Sequence, residues 1–275
     1  MASIISLTTD FGLTGTYVAA MKAVILGINP DVRLVDVCHA IAPQNILQAA
    51  LAVNSVDDFF PSRTIHLIVV DPGVGTNRSA IVLRTPEADF VAPDNGVLSY
   101  VLMRFSGPWS DSQGPVEVEI PGELEAIHLT RPGFWLANVS PTFHGRDIFA
   151  PVAAWLSIGR QPSEFGERVS RLTVLPVPRR QRTDAEITGE VVDIDSFGNL
   201  VTNIRSEDLW QDRASLTSAV GGRAIRGIVS TYAEGEGLMA LIGSTGHLEI
   251  AIRNGSAATS LKAQVGDRVT VRRTP

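Results

Sequence analysis

His66-Leu-Ile-Val-Val-Asp-Pro-Gly-Val-Gly-Thr-Asn-Arg78 is the stretch on which the reading of this chain turns. Four consecutive apolar residues, Leu67 to Val70, fit a strand covered on both faces. The strand then breaks into a loop carrying an acid, two glycines and an arginine. In open α/β sheets, ligands bind just beyond the carboxyl ends of such strands, and Asp71 stands at that position. Pro72, Gly73 and Gly75 turn the chain and let backbone approach a ligand closely. Arg78 is near enough in sequence to fold back on Asp71. The segment therefore reads either as a strand-end turn with an ion pair or as one wall of a site.

Outward from this stretch, strand-like and helix-like segments alternate. Ile4 to Thr8, Arg33 to Val37, Ala80 to Leu83 and Phe90 to Ala92 read as further strands. Tyr17 to Ile28, with Tyr17, Met21, Val24, Ile25 and Ile28 at helical spacing, reads as a helix stopped by Asn29-Pro30. Pro43 to Phe59 reads as another helix, with Pro43 in its first turn, and Ile148 to Ile158 as a third. The alternation predicts an α/β N-terminal domain with a mostly parallel sheet over residues 1–160. Residues 161–184, rich in proline and polar side chains, read as a linker. From 185 to 275, β-branched and alternating segments (Glu186 to Ile194, Leu200 to Ile204, Leu248 to Ile252, Arg268 to Arg272) predict a small all-β, barrel-like C-terminal domain.

Composition narrows the function classes. Hydrophobic residues are 44% and charged residues 19% of the 275, the balance of a compact chain with a sizeable core. A net charge of −6 argues against a nucleic-acid partner, which needs clustered Lys and Arg. The one basic cluster, Arg179-Arg180-Gln181-Arg182, reads as solvated linker. No basic start precedes the short apolar run at the N-terminus, so no signal peptide is expected. No 18-residue apolar stretch predicts a membrane span. The single cysteine, Cys38, cannot form an internal disulfide and fits a cytoplasmic location, with a core role. A P-loop, a GxGxxG fingerprint, an HExxH and paired CxxC motifs are all absent. His39, His66, His128, His144 and His247 show no metal-ligand spacing, so neither metal nor cofactor is expected.

Several short motifs could carry chemistry. Asp10, at a strand end, could accept from both hydroxyls of a ribose, or simply cap the following helix. Asp94-Asn95-Gly96 is first of all a turn signal. His144, in Phe143-His-Gly-Arg-Asp147, could polarise a water or be a satisfied core residue. In Asp193-Ile-Asp-Ser-Phe-Gly-Asn199, Phe197 could stack on a flat base and Asn199 could read its edge, or the loop could be a plain hairpin turn.

Taken in order, Thr9-Asp10-Phe11-Gly12, Asp71-Pro-Gly-Val-Gly-Thr76, Ala92-Pro-Asp-Asn-Gly-Val-Leu-Ser99, Thr142-Phe-His-Gly-Arg-Asp147 and Asp195-Ser-Phe-Gly-Asn-Leu-Val-Thr-Asn203 resemble one family. It is that of the S-adenosyl-L-methionine (SAM) hydrolases, or SAM hydroxide adenosyltransferases, relatives of the fluorinase and chlorinase. The resemblance spans Ile4 to about Ala258. It implies hydrolysis of SAM to adenosine and L-methionine by attack of water or hydroxide on the ribose C5′. It also implies a homotrimer, with sites between the N-terminal domain of one subunit and the C-terminal domain of its neighbour. By that resemblance Asp71, Arg78 and His144 form the water-activating set and Asp10 holds the ribose hydroxyls. Phe143 lines the reacting carbon, and Tyr17 flanks the methionine end. Asp195 and Ser244 hold the methionine amino and carboxylate groups, while Phe197 and Asn199 take the adenine. Glu249 belongs to the same loop, Ser244-Thr-Gly-His-Leu-Glu-Ile-Ala251, which departs from relatives at Thr245 and His247. The halogenating relatives carry tyrosine where this chain has Asp71 and where it has His144, which argues against the chlorinase alternative. A non-catalytic SAM or adenosine sensor is the other reading.

Overall fold

The computed structural model describes residues 3–107, 109 and 114–273. It divides into two compact units, Met1–Val177 and Pro178–Pro275. The first unit contains β1 (Ile4–Thr9), α1 (Tyr17–Ile28), β2 (Arg33–Cys38), α2 (Ile46–Asn54), β3 (Thr64–Val69), β4 (Ala80–Arg84) and β5 (Ala88–Pro93). It continues with α3 (Ser99–Ser106), β6 (Val116–Glu119), β7 (Glu125–Leu129), α4 (Ala150–Ser157), β8 (Gly166–Val169) and β9 (Arg171–Val174).

One seven-stranded sheet runs β2-β1-β3-β5-β4-β7-β8, and β6 pairs with β9 apart from it. The first four strands are mutually parallel, whereas β5/β4, β4/β7 and β7/β8 are antiparallel. The expected mostly parallel sheet is thus corrected to a mixed one. The reason is local: only three residues join β4 to β5, and a parallel pair needs a crossover of a dozen or more.

β3 explains its own apolar run. All six of its residues are buried. Ile65, Leu67 and Val69 pack with Met21 and Ile25 of α1 and with α4, while Ile68 and Val70 pack with Ala49 and Val53 of α2 and with Val101 and Leu102 of α3. Side chains alternate across a strand, so helices on both faces require a continuous apolar sequence. β1 lies between β2 and β3, making its carboxyl end the point where the winding reverses. Asp10 follows β1 there, and Asp71 follows β3.

Three local expectations change. α2 starts at Ile46 rather than Pro43, because Gln44 takes a left-handed φ of 66° that no helix can pass through. Asn45 caps it instead, its side chain accepting from Gln48 N at 3.0 Å. Gly145–Phe149 forms a π-helical turn ahead of α4. Most of the expected linker is structured: Gly166–Val169 extends the main sheet and Arg171–Val174 pairs with β6. Pro162 starts a short 3-10 turn, and Pro176 and Pro178 lie in the irregular stretch between β9 and the next strand, so none of them removes a donor from a ladder.

The second unit holds β10 (Gln181–Arg182), β11 (Glu186–Ile194), β12 (Leu200–Arg205), β13 (Leu216–Val220), β14 (Arg223–Arg226), β15 (Leu238–Ile242), β16 (His247–Ile252), α5 (Ala257–Leu261) and β17 (Arg268–Arg273). Its antiparallel sheet runs β14-β13-β17-β11-β12-β16-β15, with β10 on β11. The end strands β14 and β15 contact each other, so the sheet is nearly closed around Val191, Leu200, Leu248, Ile250 and Val269. Closure leaves little exposed edge. The basic cluster is exposed as expected, and it also makes contacts: Arg182 lies over the Trp210 ring, and Arg180 pairs with Asp208. Among the described residues, no helix is long and apolar enough to cross a membrane.

Candidate active site

In the first unit a cleft of about 450 Å³ opens beyond β1 and β3 and is lined by Asp10, Tyr17, Asp71, Phe143 and His144, among others. Arg78 stands behind it and joins two of them. Its Nε donates to Asp71 Oδ1 at 2.8 Å and to Oδ2 at 3.0 Å, and its Nη2 donates to Asp71 Oδ2. The same Nη2 reaches His144 Nδ1 at 2.9 Å. The side chains of Arg78 and Asp71 are only 11% and 5% exposed, which keeps the pair largely out of water. Phe149 backs the guanidinium, its ring centroid 5.1 Å from Cζ. The strand-end turn and the site are thus one object.

Glycine makes the loop possible. At Gly75, with φ of 76°, a Cβ would stand 2.5 Å from the carbonyl oxygen of Pro141. The loop after β3 therefore lies directly against the 136–142 segment that leads to His144. That segment is held by Asp147, which is wholly buried and accepts from Ser140 N at 2.8 Å and from Arg146 Nε at 2.6 Å. Asn95 braces the other side, donating from Nδ2 to Val70 O at 2.9 Å. Asp94 accepts from Thr173 N at 2.8 Å. The Asp94-Asn95-Gly96 turn is thus structural.

The tautomer of His144 follows from its partner. A guanidinium only donates, so Nδ1 must accept, and the ring proton of the neutral form sits on Nε2. Burial first, and the Arg78 cation next, hold this imidazole below its ordinary value near 6.5. His144 thus meets the cleft as a neutral donor.

The rest of the cleft wall is aromatic. Phe11, Tyr17 and Phe143 form a triangle with ring centroids 5.0 to 5.6 Å apart. Asp10 accepts from Gln44 N through Oδ2 at 2.8 Å, and its Oδ1 has no partner among the described residues. It does not cap α1, whose start carries no side-chain cap.

In the second unit a separate pocket of about 790 Å³ is lined by Asp195, Phe197, Asn199, Ser244 and Glu249, together with Tyr232 and Arg253. Asp195 organises the loop: Oδ1 accepts from Phe197 N at 2.9 Å and Asn199 N at 2.8 Å, and Oδ2 accepts from Asn199 Nδ2 at 2.8 Å. With one amide hydrogen so engaged, Asn199 offers its carbonyl oxygen and its second N–H. Phe197 is 77% exposed, an apolar ring open to solvent. Tyr232 donates to Glu249 Oε2 at 2.8 Å. Burial, partly offset by that bond, raises the Glu249 carboxyl above its ordinary range, and the Tyr232 phenol is pushed up to about 12. The pocket is rich in acceptors and suits a ligand that brings amino groups.

All eleven residues singled out in the sequence fall in these two places, six around the cleft and five in the pocket. Gln44 and Tyr232 were not foreseen. Gln44 acts through its backbone, and Tyr232 comes from a polar loop without a motif. His247 does not line the pocket.

Comparisons with known proteins agree along the chain. The profile of the SAM hydroxide adenosyltransferase N-terminal domain matches residues 5–166, and that of the C-terminal domain matches residues 189–270. An (R)-S-adenosyl-L-methionine hydrolase of Salinispora tropica is 36% identical over 97% of each chain. A fluorinase of Nocardia brasiliensis is 27% identical over 75% of this chain and 72% of its own. The crystal structure of an uncharacterized conserved protein from Thermotoga maritima, 33% identical, superposes with a TM-score of 0.88 over 98% of this chain and 100% of that one.

Proposed function

The chain belongs to the SAM hydroxide adenosyltransferase family, and we propose that it hydrolyses (R)-S-adenosyl-L-methionine to adenosine and L-methionine. The observation that carries this reading is the Asp71–Arg78–His144 cluster, half-sheltered in a cleft with an aromatic wall and, on Asp10, a carboxylate oxygen without a partner among the described residues. In the proposed reaction a water attacks the ribose C5′ in line with the departing sulfur. The leaving group departs as a neutral thioether and needs no general acid. The difficulty is the nucleophile, since bulk water ionises with a pKa of about 15.7.

Asp71 takes the proton in this reading. His144 presents an Nε2–H, so it donates to the attacking oxygen and cannot accept from it. Each Asp71 oxygen keeps acceptor capacity beyond its bonds to Arg78. Arg78 orients both partners and stabilises charge as the proton moves. Asp10 holds the ribose hydroxyls, and Phe143 and Tyr17 flank the reacting carbon and the methionine end. The second domain contributes Phe197 and Asn199 to the adenine, and Asp195, Ser244 and Glu249 to the polar groups of the substrate. The two half-sites meet between subunits of a homotrimer. Metal and cofactor have no assigned part.

The test is incubation with SAM in ¹⁸O-labelled water and chloride buffer. Adenosine labelled at the 5′-oxygen is expected, with activity surviving chelator. A 5′-chlorinated nucleoside would establish the chlorinase reading instead, and retained SAM without turnover would mark a sensor.

The tautomer leads to a pH prediction. As pH falls through the lowered value of His144, its Nδ1 gains a proton and stops accepting from Arg78. Two cations then face each other. The kcat/KM profile should therefore show an acid limb below pH 6.5. His144→Gln, which cannot titrate, should lower activity and move that limb to more acid pH. A limb that stays in place removes His144 from the assignment.

A further inference from the structure

His39 is a buried imidazole beside the cleft that the proposed reaction does not use; it is 5% exposed. It stands just after β2 and grips the turn that presents Asp10 at two points. Its Nδ1 lies 2.9 Å from Thr9 Oγ1, and its backbone oxygen accepts from Gly12 N at 2.7 Å. Thr9 Oγ1 in turn accepts from Phe11 N at 3.3 Å. Both flanks of Asp10 are therefore tied to one residue of the neighbouring strand. Gly12, with φ of 73°, closes the turn.

The ring is itself held. Its Nε2 lies 3.0 Å from Asp36 Oδ1, off the axis of an aligned hydrogen bond, and Lys22 Nζ donates to Asp36 Oδ2 at 2.6 Å. Toward β3 the ladder of β1 stays regular through Thr9, but toward β2 the register shifts at Leu7/Thr8, so on the side facing His39 the ladder is irregular and side-chain bonds supplement it. From the far side, Gln44 N pins Asp10 Oδ2.

We propose that His39 is the positioning residue for Asp10, setting through Thr9 and Gly12 the placement of the carboxylate that receives the ribose. The proposal rests on the reading of Asp10 as the ribose ligand. Removing the imidazole lets the turn relax and misplaces that carboxylate, although no part of His39 touches substrate.

The test is a double-mutant cycle read by adenosine affinity in titration calorimetry, alongside SAM kinetics. His39→Ala should weaken adenosine and raise the KM for SAM by a similar factor of about five to ten, as expected for one imperfect hydrogen-bond arrangement, with a smaller change in kcat. In the Asp10→Ala background the same change should cost nothing further. His39→Asn, whose amide can stand where Nδ1 stands, should restore most of the affinity. His39→Gln, which fills the space but overshoots Thr9, should not.

A purely structural role would lower Tm and apparent kcat while leaving KM and adenosine affinity as they were, and that result overturns the proposal. So does additivity of the Asp10 and His39 effects. If Asp10→Ala binds adenosine like the wild type, the ribose assignment falls and the proposal falls with it. Additivity with a weakened Asp10→Ala sinks only the role of His39.

Discussion

Asp71→Asn is expected to lower kcat by about 10²- to 10⁴-fold, the range of a lost general base, while SAM binding changes little. The substitution keeps the size of the side chain and one oxygen toward Arg78. It replaces the second oxygen with an NH₂, which faces a guanidinium that can only donate. The attacking water then loses both its acceptor and the charge that drew its proton. Binding is spared because the acid meets the water rather than the ribose, the adenine or the methionine. Single-turnover formation of adenosine, with SAM affinity measured by calorimetry, checks this. If His144 were the base, Asp71→Asn would cost far less than His144→Gln, and the order of the two effects decides the matter.

The second large effect concerns stability. His66 is 1% exposed, its ring stacked on Phe90 at 4.9 Å and edge-on to Phe60 at 5.2 Å, with Nδ1 2.8 Å from Ser6 Oγ. Burial, with the Arg104 cation second, lowers its pKa from 6.5 to about 4. Between those two values the unfolded chain binds a proton that the folded chain refuses, so stability is present above pH 6.5 and is lost as pH falls toward 4. The loss amounts to about 3 kcal/mol in all, since each pKa unit is worth about 1.4 kcal/mol. His66→Phe removes the titration and leaves Ser6 without its partner. At pH 7 that variant should be less stable by about 1 kcal/mol, the usual worth of such a bond, and the difference should close and reverse by pH 4. Urea unfolding at several pH values reads this directly. Parallel curves for wild type and variant would show that His66 does not govern the acid limb.

What could be read in the sequence follows from what each signal measures. The run Leu67 to Val70 reports burial on both faces, and both faces are buried, so β3 and the position of Asp71 at its end were legible. The antiparallel turn from β4 to β5 was missed although its signal, the short connection between them, stands in the sequence: strand pattern alone is the same in either orientation, and only the connection length carries direction. Composition misled over the first part of 161–184: prolines that flank short strands, such as Pro162 and Pro176, look the same as prolines in a linker. Tyr232 was silent because a lone tyrosine in a polar loop has no periodicity, and only the closing of β15 on β16 brings Glu249 to it. Gln44 was silent for another reason, since it works through a backbone N–H that every residue but proline possesses.

Residue identity and spacing by themselves determined the family, the two-domain order and the eleven side chains that gather around the cleft of one unit and the pocket of the other, because ordered motifs record which groups are needed. Tertiary structure alone decided how those groups are wired. Asp71 and His144 are 73 positions apart, and no local pattern says that one guanidinium lies between them. Once it does, the direction of its N–H bonds determines which nitrogen of His144 carries the proton. That directional constraint makes the acid, rather than the imidazole, the candidate base.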